Sequence, residues 1–240
     1  MNTLKINQAE ILNPTFDCHA ALTQTAVRGY AFCTNVILPG AREAMEEEVS
    51  KLAMELGDHV KEPINEEKTI KVTQLHERAY RAIHDWEVPV ATKVSTALVR
   101  RICQIVSRLS DPNNPLHSLD NWAPSEAGYQ RYRSASDHIS PHRDRRSDQL
   151  LGATITVNGR ALVRIHDPTD DPDDYSCTKV IDRFETSPGS IMFLRAPGLS
   201  SGEQVIHEVI SPQQGSRLIL NLRMRPDVLK NLQETENECN

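Results

Sequence analysis

The sequence predicts a mainly β domain with flanking helices, in which a double-stranded β-helix (jelly roll) is buttressed by N-terminal helices. Residues 1–125 carry apolar side chains at helical spacing, whereas residues 126–226 consist of short apolar runs separated by Gly, Pro, Asn and Asp. A chain of 240 residues with 38% hydrophobic side chains is long enough to bury one core. We therefore expect a single domain over residues 1–232 and a disordered polar tail at 233–240.

The helix-rich part begins with a strand. Residues 28–38 alternate in polarity as a strand does, and a Pro-Gly pair then ends the pattern. Apolar residues recur at helical spacing over 41–56, 73–86 and 91–109. These three segments are predicted to be amphipathic helices that pack on one sheet.

The firmest structural expectation in the β-helix core is a hairpin. The runs 153–157 and 161–165 flank Asn158-Gly159, and Asn-Gly between β-rich runs is the strongest short-range hairpin signal. An acidic, turn-rich loop follows at 167–174, and the sequence leaves open whether it acts as a lid. Further strands are predicted at 179–184, 190–194, 205–210 and 217–223.

Composition limits the classes of function. The formal net charge of -6 argues against an extended nucleic-acid surface, because phosphate binding usually shows as a basic excess. Five cysteines without a CxxC pair suggest neither a disulfide framework nor a cysteine zinc site, which favours a reduced, cytoplasmic setting. The N-terminal residues lack the apolar run of a signal peptide, and no segment approaches the apolar length of a membrane span. We expect a soluble protein without a membrane partner.

A His-x-Asp motif is the first candidate for chemistry. His142 and Asp144 are two residues apart, and this spacing on a strand points both side chains to the same side. His207, in a strand-like run 65 residues later, would complete a two-His-one-carboxylate triad that leaves positions on a metal open. A single His-x-Asp arises easily by chance among nine histidines, so the triad needs support from elsewhere.

The predicted last strand gives that support. Leu218, Leu220 and Leu222 occupy one face, and the other face carries Arg217, Ile219, Asn221 and Arg223. Burying two arginines is costly unless an anion pairs with them. Arg217 follows His207 by ten residues, on what we expect to be the adjacent strand, and its planar fork suits a carboxylate.

Together these motifs resemble the Fe(II)/2-oxoglutarate oxygenase superfamily, and in detail its AlkB-like branch, over about residues 128–225. That family has a polar residue, any residue and then Tyr ahead of the His-x-Asp motif, as Gln130 and Tyr132 stand here. It also ends with two arginines six residues apart, as Arg217 and Arg223 do.

The resemblance implies ligands and roles. The His142, Asp144 and His207 triad would bind Fe(II), with 2-oxoglutarate as co-substrate and O2 as oxidant. Tyr132 and Arg217 would hold the C5 carboxylate of 2-oxoglutarate. Arg223 would lie nearer its C1 end or the substrate.

Two departures from the family's usual pattern concern the co-substrate site. Ile219 and Asn221 stand where the family usually has Asn and Thr, and Gln130 stands where Asn is usual. We still assign Asn221 and Gln130 to this site, and we expect the hydrogen bonding of the co-substrate to differ.

The function that follows is an Fe(II)/2-oxoglutarate-dependent dioxygenase that hydroxylates, desaturates or demethylates a small molecule and releases succinate. The alternative is an AlkB-like nucleic-acid dealkylase that flips a damaged base into its pocket, against which the acidic balance and the few aromatics argue. A second alternative is a non-catalytic jelly-roll binding module. The intact triad and Arg217 argue against that one.

Two features bear on the substrate. Trp122 and Tyr129 would stack on a base or ring unless they belong to the core, where aromatics more often lie. Arginines surround the His-x-Asp motif, either as a solvated rim or as a site for an anionic substrate. They are Arg131, Arg133, Arg143, Arg145, Arg146, Arg160 and Arg164.

Overall fold

The computed structural model describes residues 10–56, 60–63, 69–133, 136–167, 179–212 and 214–226. The helices in these ranges are α1 (Cys18–Arg28), α2 (Pro39–Val49), α3 (Pro89–Val106) and a 3-10 helix at Pro115–Asn121. The strands are β1 (Tyr30–Cys33), β2 (Glu55–Leu56), β3 (Val60–Pro63), β4 (Thr69–Val72), β5 (Glu77–Ala82), β6 (Glu126–Tyr132), β7 (Ile139–His142), β8 (Leu151–Asn158), β9 (Leu162–His166), β10 (Val180–Glu185), β11 (Ile191–Arg195), β12 (Ile206–Val209) and β13 (Arg217–Arg223).

Two antiparallel sheets form the core of the fold. The major sheet has the order β1-β11-β8-β13-β6-β5-β2, and the minor sheet has the order β10-β9-β12-β7. Strands β3 and β4 pair separately as a two-stranded sheet. This is the predicted mainly β, double-stranded β-helix, with consecutive strands distributed between two sheets.

The major sheet separates two hydrophobic cores. Its outer face packs against the three α-helices, with side chains such as Leu220 and Phe193 in contact with the helical layer. Its inner face packs against the minor sheet, where Ile219 lies in one cluster with Val163 and Val209. The predicted buttress of helices on one sheet is therefore confirmed.

The last strand has the predicted bounds and the predicted two faces. Leu218, Leu220 and Leu222 belong to the helix-side core. Arg217 and Asn221 point the other way, into the space between the sheets, and both are buried. The alternation of this strand is what brings charged side chains into the interior.

The hairpin prediction at Asn158-Gly159 was wrong. Strand β8 pairs with β11 and β13 of the major sheet, whereas β9 pairs with β10 and β12 of the minor sheet. The turn therefore carries the chain from one sheet to the other. Gly159 has a φ of +76°, and a Cβ there would lie 2.0 Å from the carbonyl oxygen of Ser216, so the crossing needs glycine.

The helix predicted over 73–86 was also wrong. This segment contains β5 (Glu77–Ala82), which extends the major sheet beside β6. Tyr80 and Ala79 alternate between the two faces of that sheet, and sheet pairing overrode a short helical pattern. The helix predicted over 41–56 ends at Val49, and the helix α1 was not predicted although Asp17 caps its first turn.

The carboxylate of Glu48 connects helices α2 and α3 to the sheet by hydrogen bonds. Glu48 of α2 is buried and accepts hydrogen bonds from the backbone N–H groups of Val90 and Ala91, in the first turn of α3. The Tyr129 hydroxyl donates to the same carboxylate at 2.7 Å. A negative charge at the N-terminus of a helix complements its exposed N–H groups.

Several predicted segments lie outside the described residues. These include all of the 167–174 loop except Asp167, and the tail at 233–240. Among the helices that are described, none has both the length and the apolar character needed to cross a membrane.

Candidate active site

A cavity between the two sheets collects the side chains that the sequence analysis singled out. Strands β6 and β13 of the major sheet line one wall, and strands β7 and β12 of the minor sheet line the other. The cavity encloses about 100 Å³. All eight predicted site residues line it, although β12 and β13 belong to different sheets and are not the adjacent strands we expected.

His142, Asp144 and His207 form a three-ligand cluster. The two histidines are directly paired between β7 and β12, with ring centroids 4.3 Å apart. Asp144 follows β7 by two residues and reaches the same point. One ligand atom from each side chain lies within 4.8 Å of the others, which is a spacing that fits a metal ion.

Both histidines are buried as neutral rings, the form in which histidine can bind a metal. Burial lowers the pKa of His142 to about 3, and burial also lowers the pKa of His207. The His142 Nδ1 lies 2.8 Å from the Ser140 carbonyl oxygen, and the His207 Nδ1 lies 3.4 Å from that of Val205. The carbonyls place the ring protons on Nδ1 and leave each Nε2 lone pair for the cluster.

One carboxylate oxygen of Asp144 faces the cluster, and the other contacts Arg223. Its Oδ2 lies 3.0 Å from an Nη of Arg223, and Arg223 Nε lies 3.5 Å from Asp148. The nearby guanidinium and the two histidines hold the pKa of Asp144 below its usual value, against the opposing effect of burial. Arg223 therefore lies beside the carboxylate of the three-ligand cluster, a neighbour that the sequence analysis did not assign to it.

Arg217 is a buried cation whose partners do not satisfy it. It is 1% exposed, and its Nε and Nη1 have no hydrogen-bond partner among the described residues. Its Nη2 lies 3.4 Å from the Thr156 hydroxyl, and its guanidinium lies 5.5 Å from the ring centroid of Tyr132. Burial lowers the pKa of Arg217 to about 10. An anion in the cavity would satisfy these N–H groups and offset the cost of burial.

The predicted polar residues around Arg217 are connected by hydrogen bonds. The hydroxyl of Tyr132 lies 3.3 Å from Gln130 Oε1, and Gln130 Nε2 lies 2.7 Å from the hydroxyl of Tyr80. Asn221 accepts a hydrogen bond from the Thr154 hydroxyl at 2.6 Å. Gln130 and Asn221 thus lie in the cavity wall on neighbouring strands, each already oriented by a partner.

Four residues of this region were missed by the sequence analysis. Tyr80 was hidden in the wrongly predicted helix. Thr156 fell in the predicted hairpin, with no signal of its inward direction. Asp148 is buried and lines the cavity four residues after Asp144, yet its Oδ1 has no hydrogen-bond partner in the described ranges. His76 is buried behind the cavity and stacks on Tyr132 at 5.3 Å, and burial lowers its pKa to about 4.

The aromatic candidates belong to the core. Trp122 is 1% exposed and its indole N–H donates to the Leu151 carbonyl oxygen. Tyr129 is fully buried on the helix side of the sheet. Of the predicted arginine rim, Arg143 and Arg145 line the cavity, and Arg143 is paired with Glu203 at 3.2 Å.

No family model matches the chain, and no curated protein matches it. Solved structures do match the chain. A prolyl hydroxylase from Trichoplax adhaerens, in complex with a hypoxia inducible factor oxygen degradation domain peptide fragment, is 11% identical with a TM-score of 0.56, over 88% of this chain and 90% of that chain. A Pseudomonas putida prolyl-4-hydroxylase is 13% identical with a TM-score of 0.52, over 86% and 97%. At these identities, the likeness establishes a shared fold.

Proposed function

We propose that this chain is an Fe(II)/2-oxoglutarate-dependent dioxygenase. The observation that carries the proposal is the position of a buried, unsatisfied Arg217 in the same small cavity as the His142, Asp144 and His207 cluster. A metal site and a carboxylate site in one cavity fit a co-substrate that chelates a metal at one end and carries a carboxylate at the other.

The donor set fits Fe(II). Two neutral imidazoles and one carboxylate form the facial arrangement that leaves open positions on non-haem iron. The wall of the cavity fits 2-oxoglutarate, because the Nε and Nη1 of Arg217 need an anion and Tyr132 lines the same cavity next to this guanidinium. The AlkB-like branch is supported only by sequence features, namely Gln130 and Tyr132 ahead of the His-x-Asp motif and the six-residue spacing of Arg217 and Arg223.

When bound, Fe(II), 2-oxoglutarate and O2 supply the oxidising chemistry, with 2-oxoglutarate converted to succinate and CO2. The residues of this chain bind and orient the metal and the co-substrate. His142 and His207 offer Nε2 as ligands, and Asp144 offers one oxygen while Arg223 holds the other. Arg217 and Tyr132 fix the far carboxylate. The side chains of Ile139, Met192, Val209 and Ile219 supply the apolar part of the cavity lining.

We assign a small molecule as the substrate. The cavity of about 100 Å³ is below the ~300–1,000 Å³ of common ligand pockets, so the co-substrate occupies most of it and the substrate reacts at its mouth. Trp122 and Tyr129 belong to the core and do not provide a stacking platform for a base. A nucleic-acid dealkylase therefore has less support, and a binding module would not need an oriented metal cluster.

The test is an oxygen-free titration of the purified protein with Fe(II) and 2-oxoglutarate, followed by admission of O2 and an assay for succinate. We expect a weak visible charge-transfer band on chelation and slow succinate formation without substrate. A screen of small molecules and methylated oligonucleotides for faster succinate formation then identifies the substrate class. A protein that binds neither Fe(II) nor 2-oxoglutarate would be the binding module.

A further inference from the structure

Tyr80 lies flat on the cavity face of the major sheet, in space that is open because the paired residue is a glycine. It is directly paired with Gly128 of β6. A Cβ at Gly128 would lie 2.2 Å from a ring carbon of Tyr80, so any other residue there would displace the ring. The ring is thereby held against the wall, and its hydroxyl reaches Gln130 two residues further along β6.

Gln130 connects Tyr80 to the co-substrate site. Its Nε2 lies 2.7 Å from the Tyr80 hydroxyl, and its Oε1 lies 3.3 Å from the Tyr132 hydroxyl. Both ends of the amide are thus engaged by tyrosine hydroxyls. Burial raises the pKa of both tyrosines above the usual value, so each remains a neutral O–H group that can donate.

The direction of this chain of hydrogen bonds determines what Tyr132 offers to the cavity. In the structure Tyr132 donates to Gln130, and Gln130 donates to Tyr80. The single Tyr132 hydroxyl proton is therefore engaged by Gln130. An anion that approached this hydroxyl would meet an oxygen lone pair, which is repulsive.

Rotation of the Gln130 amide by 180° reverses the chain without moving any other heavy atom. Tyr80 then donates to Gln130 Oε1, Gln130 Nε2 donates to Tyr132, and the Tyr132 proton is free for the anion. Hydrogen bonds in such a chain polarise and strengthen one another.

We propose that Tyr80 is a positioning residue for the co-substrate, acting through this reversed chain to make Tyr132 a donor to the far carboxylate of 2-oxoglutarate. The inference rests on the proposed function and adds a residue that acts through its hydrogen bond to Gln130.

The test compares Tyr80→Phe with the wild-type protein by equilibrium titration with keto acids, without oxygen and with Fe(II) bound. We expect the Kd for 2-oxoglutarate to rise about three- to tenfold, the range for one ordinary hydrogen bond, because Tyr80 acts on the carboxylate through two neutral groups. The Kd for 2-oxopentanoate, which has no far carboxylate, should stay unchanged. Tyr30→Phe, which loses a hydroxyl contact to Asp182 outside the cavity lining, is the matched control.

A second variant separates a role through Gln130 from a general effect on packing. Gln130→Met removes the relay, so adding Tyr80→Phe to it should produce no further loss of 2-oxoglutarate affinity. Equal Kd values for wild type and Tyr80→Phe, equal losses for both keto acids, or additive losses in the double variant would overturn the inference and leave the proposed function standing. A wild-type protein that binds no 2-oxoglutarate would overturn both.

Discussion

Arg223 holds one oxygen of Asp144 and leaves the other for the metal cluster. An Nη of Arg223 lies 3.0 Å from Asp144 Oδ2, while Asp144 Oδ1 lies 4.0 Å from Nε2 of His207. The guanidinium packs over Gly152, where a Cβ would lie 2.7 Å from it. Arg223 therefore fixes the orientation of the carboxylate so that Oδ1 faces the histidines.

The first prediction concerns this orientation. Arg223→Gln should leave the ligands in place but lower Fe(II) affinity by about tenfold or more, because outer partners of metal ligands typically contribute 10–100-fold. Competition with a chromophoric chelator measures the affinity. Arg160→Gln, which removes an exposed arginine paired with Glu185, is the control. An unchanged Fe(II) affinity in Arg223→Gln would show that Asp144 needs no such support.

The second prediction concerns the ligands. His142→Ala and Asp144→Ala should each abolish 2-oxoglutarate turnover while the far-ultraviolet circular dichroism spectrum stays that of the wild type. His138→Ala is the matched control, since His138 precedes the cluster on the same segment but contacts the Ser136 carbonyl oxygen instead. Full 2-oxoglutarate consumption by either ligand variant would overturn the assignment of the triad.

The third prediction is that Arg217 lowers the stability of the ligand-free protein but is needed to bind 2-oxoglutarate. Its folded-state pKa is about 10, below the reference value of 12.5, so folding with a protonated guanidinium costs free energy at neutral pH. Arg217→Met should therefore raise the free energy of unfolding without ligand by roughly 1–3 kcal/mol. The same variant should lose most 2-oxoglutarate affinity.

Urea unfolding without ligand and keto-acid titration measure the two effects of Arg217→Met separately. Arg160→Met, at an exposed arginine, should change stability by less than about 0.5 kcal/mol. Lower stability of Arg217→Met, with 2-oxoglutarate affinity retained, would mean that the arginine serves the fold.

The site could be predicted from the sequence because its residues follow the period of a strand. The alternation of β13 placed Arg217 and Asn221 on the inner face. His142 ends β7, so Asp144 lies beyond the strand that we expected to carry it, yet it reaches the same cluster. The pairing of strands could not be read in this way. Asn158-Gly159 predicts a tight turn whether the flanking strands pair with each other or lie in different sheets. The Ser216 carbonyl oxygen approaches this turn closely, and Ser216 is almost 60 positions away in the sequence.

Tyr80 was beyond sequence reasoning for a related reason. Its segment has a helical pattern, and only the pairing with β6 makes it a strand. Gly128 gave no signal either, since the ring that requires a glycine there comes from a strand about 50 residues earlier. Long-range contacts of this kind determine which polar residues share a cavity.

The fourth prediction concerns the pH dependence of stability at Asp148. Burial raises the pKa of this carboxyl to about 6 from its ordinary value of 3.8, with Arg223 only partly opposing the shift. Between these values the folded protein binds more protons than the unfolded chain, so the contribution of Asp148 to stability falls as the pH rises. Asp148→Asn does not titrate. Its free energy of unfolding relative to wild type should therefore increase by about 2 kcal/mol between pH 4.5 and pH 7.

Urea unfolding of the metal-free proteins at several pH values checks this difference for Asp148→Asn, and packing changes that do not depend on pH cancel from it. Asp120→Asn, at an exposed carboxylate, is the matched control and should follow the wild type throughout. Parallel curves for wild type and Asp148→Asn would mean that Asp148 keeps an ordinary pKa and that its buried oxygen is solvated in solution. A rising difference would establish a carboxyl in the wall of the cavity whose charge is costly until a donor from a bound molecule meets it.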